Sequence, residues 1–273
     1  MRGVRIVLTQ PQPRCAALAQ ALRARGHEVV ALPVRHLTPL AAQSLAAEAL
    51  AASREADWLI FVSPGAVEAA LPVLLAQPGG WQPRAGLAMI GPGTATALRD
   101  RGLDPEALAL RWCLPESPPF DAGALIAQPP FDRPAGLRMM VLRGERGRDD
   151  WIDTLRARGA QLSVVAVHQA TALSLPRADL SRAADWLVRP ADGPPAVFVF
   201  TARDAIEQLA EALPEAGRAL ALALTVHPRL AEALRQRGWA RVRLIEPGEA
   251  GLLAALESGA REGIDAGGSA RSS

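Results

Sequence analysis

A series of turns in this 273-residue chain carries residues able to grip an anion. Thr9, Gln10 and Arg14 follow the apolar run at 4–9. Ser63, Pro64 and Gly65 follow 57–62, and Gly91, Pro92, Gly93 and Thr94 follow 86–90. Arg143, Gly144, Arg146, Gly147 and Arg148 follow 137–142. Thr201, Ala202 and Arg203 follow 196–200, and Thr225, His227 and Arg229 close the run at 219–225. Small residues let a ligand approach the backbone, and hydroxyls and guanidiniums hydrogen-bond it. A helix that begins at such a turn adds unpaired N–H groups and the positive end of its dipole. The set suits a ligand with several carboxylates, held by backbone amides and a few arginines. A hydroxyl just before a helix also has a purely local use as an N-cap, and Ser63 is expected to be one. For the Arg143–Arg148 cluster the local alternative is a solvated helix start.

Other chemistries find less support. Gly91-Pro92-Gly93 lacks the spacing of a P-loop or of a dinucleotide fingerprint. No Ser/His/Asp order, paired-carboxylate motif or metal-ligand cluster stands out. The four histidines, at 27, 36, 168 and 227, are scattered, and a lone histidine is more often structural than catalytic. Cys15 and Cys113 have neither metal-ligand spacing nor a disulfide framework, which fits a reducing compartment. All 30 basic residues are arginine and tyrosine is absent, a bias that GC-rich codons explain. The net charge is only +2 and no basic run is interleaved with aromatics, so a nucleic-acid partner is not expected. The N-terminal apolar stretch is too short for a signal peptide and reads as a strand. No apolar run reaches about 18 residues, so no membrane span is expected.

The elements that must position these turns alternate in type. Strands are expected at 4–9, 28–32, 57–62, 86–90, 137–142, 162–167, 196–200, 219–225 and 241–245. Most are continuous Val/Ile/Leu/Ala runs, as in strands covered on both faces. Between them lie Ala/Leu/Arg/Glu stretches at helical spacing, so the fold class is α/β with parallel sheets. The chain also repeats itself. Leu22-Arg23-Ala24-Arg25-Gly26 recurs as Leu155-Arg156-Ala157-Arg158-Gly159. The stretch from Leu59 to Glu68 resembles that from Val197 to Glu207, and Ala97–Gly102 resembles Ala233–Gly238. Two similar lobes follow, and repeats alone would make them consecutive halves. Residues 113–136, with Pro118-Pro119 and Pro129-Pro130, read as a boundary or an irregular connection. Residues 176–195 are expected at the surface, and the Gly/Ser-rich end beyond Ser258 is expected to be a disordered tail, 259–273.

Taken in order, the turns resemble those of one family. Thr9-Gln10-Pro11 is similar to its opening Thr-Arg-Pro, and Phe61 to Val67 to its Phe-Thr-Ser-x-x-Ala-Val. Ile90-Gly91-Pro92-Gly93-Thr94-Ala95, with Leu98 and Gly102, is similar to its Val-Gly-x-x-Thr-Ala-x-x-Leu-x-x-x-Gly. Leu142 to Arg148, with Leu155 and Gly159, resembles its Leu-Arg-Gly-x-x-Gly-Arg-x-x-Leu. Phe198 to Ile206 and Thr225 to Gly238 resemble its last two signatures. Each motif is loose, but the ordered set, over residues 4 to 256, is specific to the uroporphyrinogen-III synthases.

The resemblance implies two flavodoxin-like lobes joined by a short two-stranded connector. One lobe would be discontinuous, 1–35 with 173–258, and the other would be 38–168, with the active site in the cleft between them. The implied substrate is hydroxymethylbilane, a linear tetrapyrrole with eight carboxylates. Loss of its terminal hydroxyl leaves a reactive azafulvene. Attack at the substituted carbon of ring D gives a spiro intermediate, and recombination inverts that ring. The reaction is that of a cyclising hydro-lyase. Without an enzyme the substrate closes to the wrong isomer, so the protein must mainly control geometry. A mild acid to assist hydroxide departure would suffice. Implied substrate contacts are Thr9, Ser63, Gly91, Thr94, Arg143, Gly144, Arg148, Thr201, Arg203, His227 and Arg229. No metal or organic cofactor is expected, and the protein is expected to be a cytoplasmic monomer, with transient contact to the preceding pathway enzyme as a further partner.

This sequence departs from the family at informative places. The family carries a tyrosine near the second connector strand, where this chain has Val167-His168-Gln169. His168 either donates a proton there or fills the hinge. Gln10 stands for the usual arginine and Ala202 for a usual serine. Two other functions fit the residues: a non-catalytic bilobal small-molecule binder or sensor, and an α/β transferase for a phosphorylated or sugar ligand.

Overall fold

The computed structural model describes residues 3–40, 42–77, 84–104, 107–117, 120–188 and 196–265. Along the chain, β1 (Arg5–Leu8), α1 (Arg14–Ala24), β2 (Glu28–Ala31) and β3 (Arg35–Pro39) come first. Then follow α2 (Ser44–Ala51), β4 (Trp58–Phe61), α3 (Pro64–Leu75), β5 (Gly86–Met89), α4 (Pro92–Arg99) and β6 (Trp112–Cys113). Next are α5 (Ala122–Ile126), β7 (Arg138–Gly144), α6 (Asp150–Ala157), β8 (Gln161–Ala172) and α7 (Arg177–Val188). The chain continues with β9 (Ala196–Phe200), α8 (Arg203–Ala212), α9 (Glu215–Arg218), β10 (Leu222–Thr225), α10 (Pro228–Gln236), β11 (Arg241–Leu244) and α11 (Gly248–Asp265).

These elements form two compact units. One combines Met1–His36 with Ala172–Ser273, and the other runs from Leu37 to Thr171. The first has a sheet in the order β11-β10-β9-β1-β2, parallel throughout. The apolar runs of its inner strands are explained by burial on both faces. Val7, Phe198, Phe200 and Ala223 pack toward α7, α8 and α10, with Trp239 against both phenylalanines. Ile6, Leu8, Val197, Val199 and Leu224 pack on the other face, toward α1 and α11.

The second unit's sheet has the order β3-β8-β7-β4-β5-β6. Leu59, Phe61, Met140 and Leu142 face α3 and α4. Trp58, Ile60, Met139 and Val141 face α5 and α6. The repeated Arg-Gly pair has a simple cause. Gly26 and Gly159 end α1 and α6 with φ of +83° and +87°, a conformation that costs glycine nothing. The next residues, His27 and Ala160, return their N–H groups to Leu22 and Leu155.

The structure departs from the sequence expectations in places. β3 was not read from the apolar pattern, because Arg-His-Leu-Thr-Pro is a mostly exposed edge strand without an apolar run. It lies beside the far end of β8, which extends past the expected 162–167 to Ala172. Leu40 donates its N–H to Val167 O and Leu173 to Val34 O. β6 is only two residues long and also went unread. The run at 219–225 is shorter as a strand because α9 and its following turn occupy its start. Residues 113–136 are not the unit boundary. They lie within the second unit, ending β6 and carrying α5. Residues 177–188, expected at the surface, form α7 and bury Ala183, Trp186 and Leu187; residues 189–195 lie outside the described residues. α11 runs on to Asp265, past Ser258 where the tail was expected to begin, and 266–273 lie outside the described residues.

Candidate functional site

In the second unit, the expected turns lie at the carboxyl ends of the parallel strands, where helix N-termini point outward. Ser63 caps α3, its Oγ accepting the Ala66 N–H at 3.2 Å. Gly91 occupies the same place before α4 in an extended conformation without a side-chain cap. Thr94 is almost fully buried one turn into that helix, so the accessible groups there are the backbone of Gly91 to Gly93.

The arginine turn is charge-balanced. Arg143 is buried; its guanidinium pairs with Asp149 and donates to Gly144 O at 3.2 Å. A Cβ at Gly147 would sit 2.3 Å from Arg143 Nη2, so that glycine makes room for the guanidinium. Arg143 therefore staples its own loop. Arg148 stands exposed, 3.8 Å from Asp150, and Arg156 pairs with Asp153. Among the described residues no ion pair forms at Arg146. It lines a cavity of about 410 Å³ together with Gly144, Ile152 and Val164. A larger cavity of about 990 Å³ opens between Trp58, Arg111 and Leu137. Those residues lie at the amino ends of β4, β6 and β7, the wrong ends for this site.

His168 sits in β8 beside the carboxyl end of β7. A bulge between Arg143 and Gly144 shifts the register, so that Gly144 comes opposite His168 and not opposite Val167. The ring is buried, and neither Nδ1 nor Nε2 has a hydrogen-bond partner. Burial lowers its pKa below the usual 6.5, so the imidazole is neutral at neutral pH. Its neighbours include Gly65, in the first turn of α3. Of the expected substrate contacts, Gly144 thus touches His168 directly.

In the first unit, Thr9 is fully buried and its Oγ1 donates to Val199 O at 2.8 Å, a use internal to the sheet. Gln10 and Thr225 are buried with Oε1 and Oγ1 unpartnered. Ala202 caps α8 without a side-chain bond, leaving Thr201 half-buried beside it and Arg203 exposed, 3.6 Å from Glu207. His227 caps α10, its Nδ1 accepting the Arg229 N–H at 3.0 Å. Asp204, in the first turn of α8, pairs with Arg35. The sequence reading missed this pair because it missed β3, which begins at Arg35. It also missed Asp149, whose role as the Arg143 partner has no signal beyond its closeness in sequence.

No group of three or more His, Cys, Asp or Glu able to hold a metal occurs among the described residues. No helix among them is long and apolar enough to cross a membrane. A family model described as uroporphyrinogen-III synthase HemD matches residues 16–254. The chain belongs to the uroporphyrinogen-III synthase family. Uroporphyrinogen-III synthase of Escherichia coli (strain K12) is 28% identical over 245 residues, covering 88% of this chain and 94% of that protein. Uroporphyrinogen-III synthase of Salmonella typhimurium (strain LT2) is 29% identical over 249 residues, with the same coverage of 88% and 94%. A crystal structure of a mutant uroporphyrinogen III synthase from the extremely thermophilic bacterium Thermus thermophilus shares the fold. Its TM-score is 0.56 at 18% identity, covering 95% of this chain and 98% of that one.

Proposed function

We propose that this chain is a lyase that closes hydroxymethylbilane to uroporphyrinogen III, inverting ring D through a spiro intermediate and releasing one water. The observation that carries the reading is the family match across residues 16–254. The chemistry asks little of side chains. The C–O bond of the terminal hydroxymethyl group breaks, and the pyrrole nitrogen supplies the electrons. The departing hydroxide needs a proton. A new bond then forms at the substituted carbon of ring D, the spiro intermediate breaks and rejoins, and the ring proton is lost to solvent.

His168 is the group proposed to hydrogen-bond the departing hydroxide, which takes its proton from water. A neutral imidazole keeps one N–H donor, and neither ring nitrogen of His168 is engaged with the protein. The first turns of α3 and α4, through the backbone near Gly65 and Gly91, supply N–H groups for substrate carboxylates. Arg148 and Arg146 in the second unit, and Thr201, Arg203 and Arg229 in the first, are the proposed side-chain partners. Ser63, His227, Thr9, Thr94 and Arg143 support these turns from within. The enzyme is proposed to work as a cytoplasmic monomer without metal or cofactor, receiving its substrate from the enzyme that makes the linear tetrapyrrole.

The test supplies hydroxymethylbilane, oxidises the product to porphyrin and separates the isomers. Formation of isomer III above the spontaneous isomer I supports the reading. Isomer I alone, with or without substrate binding, overturns it.

A further inference from the structure

We infer that Gly144 and Gly65 are positioning residues, whose missing side chains form the slot that holds the His168 imidazole. The inference deepens the proposed function, since it rests on His168 acting at the departing hydroxide. A Cβ on Gly144 would lie 2.7 Å from Cε1 of His168 and 3.3 Å from both ring nitrogens, against the face of the ring. A Cβ on Gly65 would lie 3.3 Å from Nε2 and 2.7 Å from Leu37 Cδ1. The imidazole is thus bordered by the end of β7 and by the first turn of α3. Neither glycine has a positive φ, so the backbone does not demand glycine at either place. The neighbour does.

Three features converge on the ring. The bulge at Arg143/Gly144 brings a glycine opposite His168. The ring is more than nine-tenths buried. Neither nitrogen is tied to a protein group. A catalytic histidine is usually oriented by a hydrogen bond from its second nitrogen. Here packing against two bare Cα atoms replaces that bond as the means of fixing the ring. A methyl group on Gly144 would push the ring aside, with no hydrogen bond to pull it back.

The experiment compares Gly144→Ala, His168→Ala and the double variant in the intact protein. Isomer III formation is followed with pH, and the His168 ring by NMR titration. Gly144→Ala is expected to lower kcat about as much as His168→Ala, roughly tenfold to a hundredfold, with KM within about twofold. The double variant falls no further, because the two changes remove one function. The His168 titration, held low by burial in the wild type, moves up toward the ordinary histidine range in Gly144→Ala as the ring meets water. Wild-type kcat and titration in Gly144→Ala, or multiplicative losses in the double variant, overturn the inference. If Gly144→Ala fails to fold, the double variant decides. Recovery of folding once the imidazole is gone supports the slot, and continued failure overturns it. The titration needs no turnover, so it judges the slot even if isomer III is never formed.

Discussion

His27 accepts the backbone N–H of Val4 on Nδ1 at 3.2 Å, tying the turn after α1 to the residue that precedes β1. An imidazolium cannot accept that bond. Burial first, and then the nearby Arg25, hold the His27 pKa below 6.5. The unfolded chain takes up the proton near 6.5 while the folded chain resists it. Stability is therefore full above pH 6.5 and declines as the pH falls below it, levelling off beneath the folded pKa. His168 adds to the trend with the same sign. Urea midpoints at pH 7.5 and 5.5 check this: the lower pH should give the lower midpoint, and His27→Gln should shrink the gap. Equal midpoints in the wild type would show that neither histidine is linked to folding.

His168 can be separated into a donor and a filler. Phenylalanine keeps the bulk and glutamine keeps a donor. His168→Phe is expected to lose about tenfold or more in kcat, with His168→Gln recovering part of it. Both variants are assayed for total porphyrin and for isomer ratio. Equal wild-type rates in both would remove His168 from the chemistry.

The arginine turn should divide by role. Arg143→Ala leaves Asp149 without its partner and the loop without its staple, and should cost about 1–3 kcal/mol of stability. Arg146→Ala and Arg148→Ala, both on the solvent side of the turn, should leave the thermal midpoint nearly unchanged. Each should lower kcat/KM by about tenfold or less, since several contacts share a polycarboxylate. Thermal melts beside steady-state kinetics separate the groups, and an unaltered kcat/KM in both exposed variants would withdraw them as substrate contacts.

Ser63 offers a cleaner partition of structure from binding. Ser63→Ala removes the cap on α3 and should cost about 1 kcal/mol, whereas Ser63→Gly, a tolerated cap, should cost only a few tenths. If the side chain serves only as a cap, the two variants share a wild-type KM. A KM raised equally in both would show that the hydroxyl also meets substrate.

Neither cysteine should report on catalysis. Burial pushes the Cys15 thiol up to about 12 and raises that of Cys113 as well. The reactive thiolate is thus scarce at both sites. A colorimetric disulfide reagent at pH 8 is expected to label neither thiol in the native protein and both in urea. Fast native labelling would contradict the burial of these positions.

The parallel strands were legible because burial on both faces writes itself as an apolar run: 196–200 was read to the residue. β3 was not, because an edge strand half in water needs no such pattern. Its absence hid the Arg35–Asp204 pair. The turns were legible as a set, since hydroxyls, glycines and arginines gather where parallel strands end. Their division of labour was not. Arg143 and Gly144 stand side by side in one motif, yet the first staples a loop and the second borders an imidazole. That difference depends on a one-residue bulge, which local sequence does not reveal.

The central place of β1 also orders events during synthesis. Residues 5–8 pair on one side with 28–31 and on the other with 196–199. At about 5–20 residues per second, β2 emerges within seconds of β1, while β9 follows on the order of ten seconds later. In that interval the inner edge of β1 is an apolar strand without a neighbour, open to pairing with any other chain. The unit encoded second, being continuous, can complete its core first. The nascent protein thus carries a finished domain and an unfinished one on the same ribosome, the unfinished one being the part made earliest.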